Sequence, residues 1–123
     1  MSNSIRELLK KNKKFTVNGS IWIECDGERF FGPGPAELLD LINSTGSINK
    51  AAKKMEMSYK KAWRIINSLN TEARQPFVVT QTGGTSGGGS IVTNEATAVM
   101  VWYKKLRERF FALLEQETEN LNL

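Results

Sequence analysis

Residues Ser47 to Arg64 read SINKAAKKMEMSYKKAWR, and the reading of this stretch decides the fold. It holds two short amphipathic patterns separated by a break at Glu56-Met57. Ser47 is placed to N-cap the first and Ser58 the second, because a serine hydroxyl accepts the unpaired N–H groups of a first helical turn. The first pattern puts Ile48, Ala51, Ala52 and Met55 on one face, and the Ala51-Ala52 pair is small enough to let a following helix cross closely. The second puts Tyr59, Ala62, Trp63, Ile66 and Leu69 at helical spacing. Two short helices, a tight turn and small residues at the crossing predict a helix-turn-helix over residues 47–73.

Advancing by about 100° per residue from Lys60, the residues Lys60, Lys61, Arg64, Asn67, Ser68 and Thr71 share one arc of roughly 120°. Tyr59, Ala62, Trp63, Ile65, Ile66, Leu69 and Ala73 are predicted on the opposite side. The polar arc carries cations, an amide and hydroxyls but no carboxylate, with Glu72 only at its edge. Such donors suit phosphate oxygens and base edges, and Asn67 suits an adenine. The competing reading is a merely solvated face, which would more often mix Glu with its Lys, because i,i+4 ion pairs help an exposed helix. Lys50, Lys53, Lys54, Lys60, Lys61 and Arg64 against the single acid Glu56 make this stretch +5, while the whole chain is +4. The basicity is local, as a polyanion partner requires.

The length of 123 residues predicts one domain, 1–123, with a modest core. No apolar run reaches the roughly 18 residues that span a bilayer, and MSNSIRELLKKNKK lacks the apolar centre of a signal peptide. Cys25 is the only cysteine, so no internal disulfide forms, and a reducing cytoplasm is expected. The chain contains no histidine, which removes Ser/His and Cys/His nucleophile pairs and nearly every zinc pattern. No enzyme activity, metal or cofactor is expected.

Ser4 to Lys13 reads as a short helix, its late lysines matching the negative end of the helix dipole. Phe15 to Phe31 reads as extended, with Asn18-Gly19 a turn or bulge and Asp26-Gly27 a two-residue hairpin signal. Gly32-Pro33-Gly34-Pro35 breaks the strand, and Pro35 is expected to open a support helix that Thr45-Gly46 ends. After Gln75-Pro76, Phe77–Gln81 and Ser90–Thr93 read as strands around TGGTSGGG, Thr82 to Gly89. No GK[ST] follows these glycines and no helix begins there, so the loop is not a phosphate-binding P-loop. Two strands and a glycine-rich tip directly after a helix-turn-helix predict a wing over 77–93, its glycines able to approach a DNA backbone closely. Thr93 or Asn94 is placed to cap a last helix over 94–120. There Val99, Tyr103, Leu106, Phe110 and Leu113 fall at alternating four- and three-residue steps, a heptad seam expected to form a dimer interface.

TGSINKAAKKMEMSYKKAWRIINSLN and the following TGGTSGGGSIVT resemble the DNA-binding domain of the ModE family, the molybdate-responsive bacterial transcription regulators. The shared signals are the TGSI opening, the Ala-Ala pair, the Met-Ser-Tyr-Lys-x-Ala-Trp run and the glycine-rich wing ending in threonine, within roughly Gly34 to Val99. The resemblance implies a LysR-like winged helix-turn-helix that dimerises through its terminal helices. The full-length regulators carry a C-terminal molybdate-binding module; with the chain ending at Leu123, a molybdate sensor is not expected. Thr85-Ser86 stand where the family usually has a wing lysine, and no Lys or Arg occurs between Arg74 and Lys104. Arg64 occupies a position that often carries an acid in the family, so the sequence preference is expected to differ.

The expected fold class is α+β, mainly α: a winged helix-turn-helix with an N-terminal β-hairpin and a long C-terminal dimerisation helix. The expected function is sequence-specific binding of double-stranded DNA as a homodimer, with the second helix in the major groove. Its contacts are expected from Ser47, Lys50, Ser58, Tyr59, Lys60, Lys61, Arg64 and Asn67, and from Thr82, Gly83, Gly84, Thr85 and Ser86 in the wing. The alternative is a winged-helix protein-interaction module that no longer binds DNA.

Overall fold

A computed structural model describes residues 4–81 and 89–122. Its contacts divide the chain into two compact units, Trp22–Tyr103 on the one hand and Met1–Ile21 with Lys104–Leu123 on the other.

In the larger unit, β1 (Ile23–Cys25) and β2 (Glu28–Phe31) form an antiparallel hairpin. Its two turn residues, Asp26 and Gly27, both have positive φ, 51° and 83°. That is the primed turn whose twist matches the flanking strands, and aspartate and glycine are the residues that tolerate it. Helix α1 spans Pro33–Thr45. It opens at Pro33, two residues before the expected Pro35. Both prolines sit in the first turn, where a missing N–H leaves no helical bond unmade. Gly46 closes the helix in the left-handed region at φ 70°, donating its N–H to the Ile42 carbonyl at 2.7 Å.

Helices α2 (Ile48–Lys54) and α3 (Tyr59–Glu72) follow, then the antiparallel pair β3 (Val78–Gln81) and β4 (Gly89–Val92). The core of this unit joins α1, α2 and α3 to Phe31 of β2 and to the base of the β3–β4 hairpin. Leu38, Leu39, Ile42, Ala51, Ala62 and Ile66 are enclosed there. Full burial of a leucine or isoleucine side chain contributes about 1.5–3 kcal/mol. Phe31 is the aromatic centre, meeting Tyr103 edge-on at 5.2 Å and Phe77 at 6.4 Å between ring centroids. Along the hairpin Val78 and Val92 face inward while their neighbours Val79 and Ile91 are exposed, the period-two alternation of a half-buried sheet. The architecture is the mainly-α winged helix expected, with helix α4 (Asn94–Asn122) as its long C-terminal element.

Tyr103 corrects the expected dimer seam. It is 1% exposed and its ring is spent on Phe31, so it belongs to the core of its own chain. Of the other seam residues, Val99, Leu106 and Phe110 are half-buried and Leu113 is exposed.

In the smaller unit the helix expected over Ser4 to Lys13 is only a single 3-10 turn, Ile5–Leu8. Ile5 and Leu8 are 55% and 67% exposed, and a short helix that buries no face does not recover its nucleation cost. The extended reading of residues 15–31 holds as a regular strand only from Ile23 onward. Phe15 and Val17 are held by the last turns of α4 instead. The Asn122 amide accepts from the Phe15 N–H at 3.1 Å and donates to its carbonyl at 2.7 Å, and Thr118 Oγ1 accepts from the Val17 N–H at 2.8 Å. Among the described residues no helix is long and apolar enough to cross a membrane.

Candidate nucleic-acid interface

The site is built on α2, α3 and the turn between them. Ser47 caps α2, its Oγ accepting from the Lys50 N–H at 3.1 Å, and Ser58 caps α3, accepting from the Lys61 N–H at 3.0 Å. Between the caps the chain reverses within Met55 to Met57. The Met57 N–H donates to the Ala52 carbonyl at 3.0 Å and the Glu56 N–H to the Lys53 carbonyl at 3.1 Å. This paired closure needs a left-handed residue, and Glu56 supplies it at φ 56°. Ala51, Ala52 and Ala62 are buried, the small side chains that let α2 and α3 cross closely.

The buried stripe of α3 is narrow: Ala62, Ile66 and Leu69. This leaves Lys60, Lys61, Arg64, Asn67, Ser68 and Thr71 all exposed on one continuous surface. It also corrects the expectation that Trp63 lies on the apolar side, and leaves Tyr59 exposed as a DNA contact would be. Tyr59 and Trp63 stand on the flank of the stripe, 49% and 37% exposed, with rings meeting edge-on at 6.3 Å. The reason is packing geometry, because α1 and α2 already fill the space beneath α3 and a helix face wider than that contact stays in water. Lys50, Lys53 and Lys54 are exposed on α2. Among the described residues none of these six cations is ion-paired. Among the described residues nothing neutralises their charge, which leaves it available to an external anion.

The wing is tied to this helical pair at two points. The Ser90 N–H of β4 donates to the Gly46 carbonyl at 2.9 Å, at the junction of α1 and α2. On α3, the Asn70 amide oxygen accepts from the N–H groups of Phe77 and Val78 at 2.7 and 3.2 Å, and its nitrogen donates to the Val78 carbonyl at 3.0 Å. Asn70 thus fixes where β3 starts relative to α3. A cleft of about 290 Å³ opens between the wing base and the starts of α2 and α3, lined by Ser47, Asn49, Tyr59, Thr80, Gln81 and Ser90 among others. The expected wing contacts Thr82, Gly83, Gly84, Thr85 and Ser86 lie outside the described residues. Among the described residues no three His, Cys, Asp or Glu side chains converge as metal ligands would.

No family model matches the chain. The molybdenum transport protein ModE of Azotobacter vinelandii is 39% identical to it over 85 residues, which is 69% of this chain and 32% of that protein. The transcriptional regulator ModE of Haemophilus influenzae is 34% identical over 96 residues, 76% of this chain and 38% of the relative. Over this span the chain is ModE-like. The DNA-binding transcriptional dual regulator ModE of Escherichia coli K12 is 35% identical over 79 residues, 64% of this chain and 30% of its own length. The chain spans about a third of the length of these relatives.

Within the ModE-like span, the structure brings Ser47, Lys50, Ser58, Tyr59, Lys60, Lys61, Arg64 and Asn67 onto α2, α3 and their caps. Two of them, Ser47 and Ser58, have their hydroxyls engaged as caps, so their first role is to orient the helices. Sequence reasoning missed Asn70, whose position near a helix end reads like any polar terminal residue. Only the return of β3 onto α3 reveals its three bonds. It also missed the exposure of Trp63.

Proposed function

We propose that this chain is a ModE-type transcription regulator that binds double-stranded DNA as a homodimer in the cytoplasm, with α3 entering the major groove. One observation carries the reading: an exposed helical face with Lys60, Lys61 and Arg64 unpaired among the described residues and Asn67 beside them, on a segment similar to proteins named as transcriptional regulators. Cations without intramolecular partners gain most from phosphate, because each contact releases a condensed counterion from the duplex. Lys50, at the start of α2, would reach the backbone beside the groove. The dimer is proposed to form through α4, using Val99, Leu106, Phe110 and Leu113 without Tyr103. Two copies related by a twofold axis would read half-sites about one helical turn, or a multiple of it, apart.

The test is fluorescence anisotropy on random-sequence duplex DNA over a series of salt concentrations. DNA binding predicts log K falling linearly with log salt, by about 0.9 for each phosphate neutralised. Lys60→Ala and Arg64→Ala are each expected to weaken binding by about 1–3 kcal/mol where they contact bases. Unchanged affinity in both variants would remove α3 from the interface. Absence of binding at low salt would instead favour a winged-helix module that recognises protein.

A further inference from the structure

Tyr59 and Trp63 form an aromatic step along the edge of α3, and the core does not use it. Both rings are substantially exposed, at 49% and 37%, and they contact each other edge-on at 6.3 Å. Neither the Tyr59 hydroxyl nor the Trp63 indole N–H has a hydrogen-bond partner among the described residues. One turn of helix separates the two rings, and Lys60, Arg64 and Asn67 adjoin them on the same exposed surface. Tyr59 also lines the cleft toward the wing base, so the step begins beside the wing.

We propose that Tyr59 and Trp63 are specificity-determining residues that cover thymine C5-methyl groups in the major groove. This rests on the DNA reading above and adds the base preference of the same surface. The cations around the rings select a polyanionic occupant, since none of them has an ion-pair partner among the described residues. Within the major groove the thymine methyl is the apolar group that a base edge presents, while every other edge offers donors or acceptors. An aromatic edge carried into that groove therefore gains from thymine and from no other base. The free indole N–H serves the same geometry, because it can donate to a neighbouring acceptor such as thymine O4 or a phosphate oxygen.

The experiment compares an alternating dA-dT duplex with the same duplex in which deoxyuridine replaces every thymidine. This removes the methyl groups and leaves the hydrogen-bonding edges and phosphates in place. Wild-type protein is expected to bind the methylated duplex more tightly, by about fourfold for each methyl covered. Trp63→Ala should reduce that preference and Tyr59→Ala/Trp63→Ala should abolish it, both keeping the wild-type salt slope, while Tyr59→Phe should keep preference and slope. A Trp22→Phe/Trp102→Phe variant leaves Trp63 as the sole tryptophan, whose selectively excited emission should change on adding the methylated duplex. Equal wild-type affinity for the two duplexes overturns the inference while leaving DNA binding intact. So does a Tyr59→Ala/Trp63→Ala variant that retains the full preference, or Trp63 emission indifferent to DNA. Failure to bind either duplex at low salt overturns the DNA reading itself, and the methyl contact with it.

Discussion

Glu56 shows how a single backbone angle can cost stability, at the break that the sequence marks between α2 and α3. It holds φ 56° so that the turn between α2 and α3 can close. The left-handed region costs a non-glycine residue about 1–2 kcal/mol, part of which glycine would return as greater freedom of the unfolded chain. Glu56→Gly is therefore expected to raise the unfolding midpoint, with a net gain of about 0.5–1 kcal/mol. A lower midpoint would mean that the carboxylate or its stem contributes more than the strain costs. Cys25 makes a second case. Its thiol donates to Glu72 Oε2 at 3.3 Å. That bond, then burial, then the charges of Glu72 and Asp26 hold its pKa above the usual thiol value. A raised pKa lowers the thiolate fraction at any pH beneath it, and the thiolate is the nucleophile. Alkylation of Cys25 at mildly alkaline pH should be slower than that of a free cysteine, and Glu72→Gln should accelerate it. An unchanged rate in that variant would show that Glu72 does not control the thiol.

Among the elements, α3 and the start of β3 are joined by the three hydrogen bonds of Asn70. Asn70→Ala strands the Phe77 and Val78 N–H groups at a part-buried position. The expected loss is about 2–3 kcal/mol by chemical denaturation, since an unsatisfied buried donor costs about 1–3 kcal/mol. Asn70→Asp keeps both acceptor bonds and loses only the donor to the Val78 carbonyl, so it should destabilise less than alanine. The reverse order would show that the side chain acts by volume and not through its hydrogen bonds. The element-level reading of the sequence was sound wherever local chemistry was unambiguous. The Asp26-Gly27 turn, the Ser47 and Ser58 caps and the Gly46 stop each depend on residues within a turn of one another, so spacing alone reveals them. It failed at Ile5–Leu8, where a plausible helical pattern had nothing to pack against, and at Phe15–Val17, whose partners lie about a hundred residues away on α4.

At the scale of the whole molecule, the dimer proposed above would form through α4. Trp102, Phe111 and Leu113 remain 53%, 40% and 54% exposed along it, more apolar surface than one helix in water ordinarily leaves uncovered. A homodimer through this helix predicts that the melting temperature rises with protein concentration, as mass action requires when only the folded dimer is bound. A midpoint constant over a hundredfold concentration range would place the protein as a monomer. By itself the sequence determined the helix-turn-helix, the hairpins, the capping and the concentration of positive charge between Ser47 and Arg64. These rest on periodicity and on contacts a few residues long. Only the tertiary structure decided which apolar residues were inside. Tyr103 belongs to the core and not to the seam, Trp63 stands at the surface, and Asn70 tethers β3 to α3. A helical wheel records the direction of each side chain but not the width of the surface packed against it, and that width is set by elements distant in the chain.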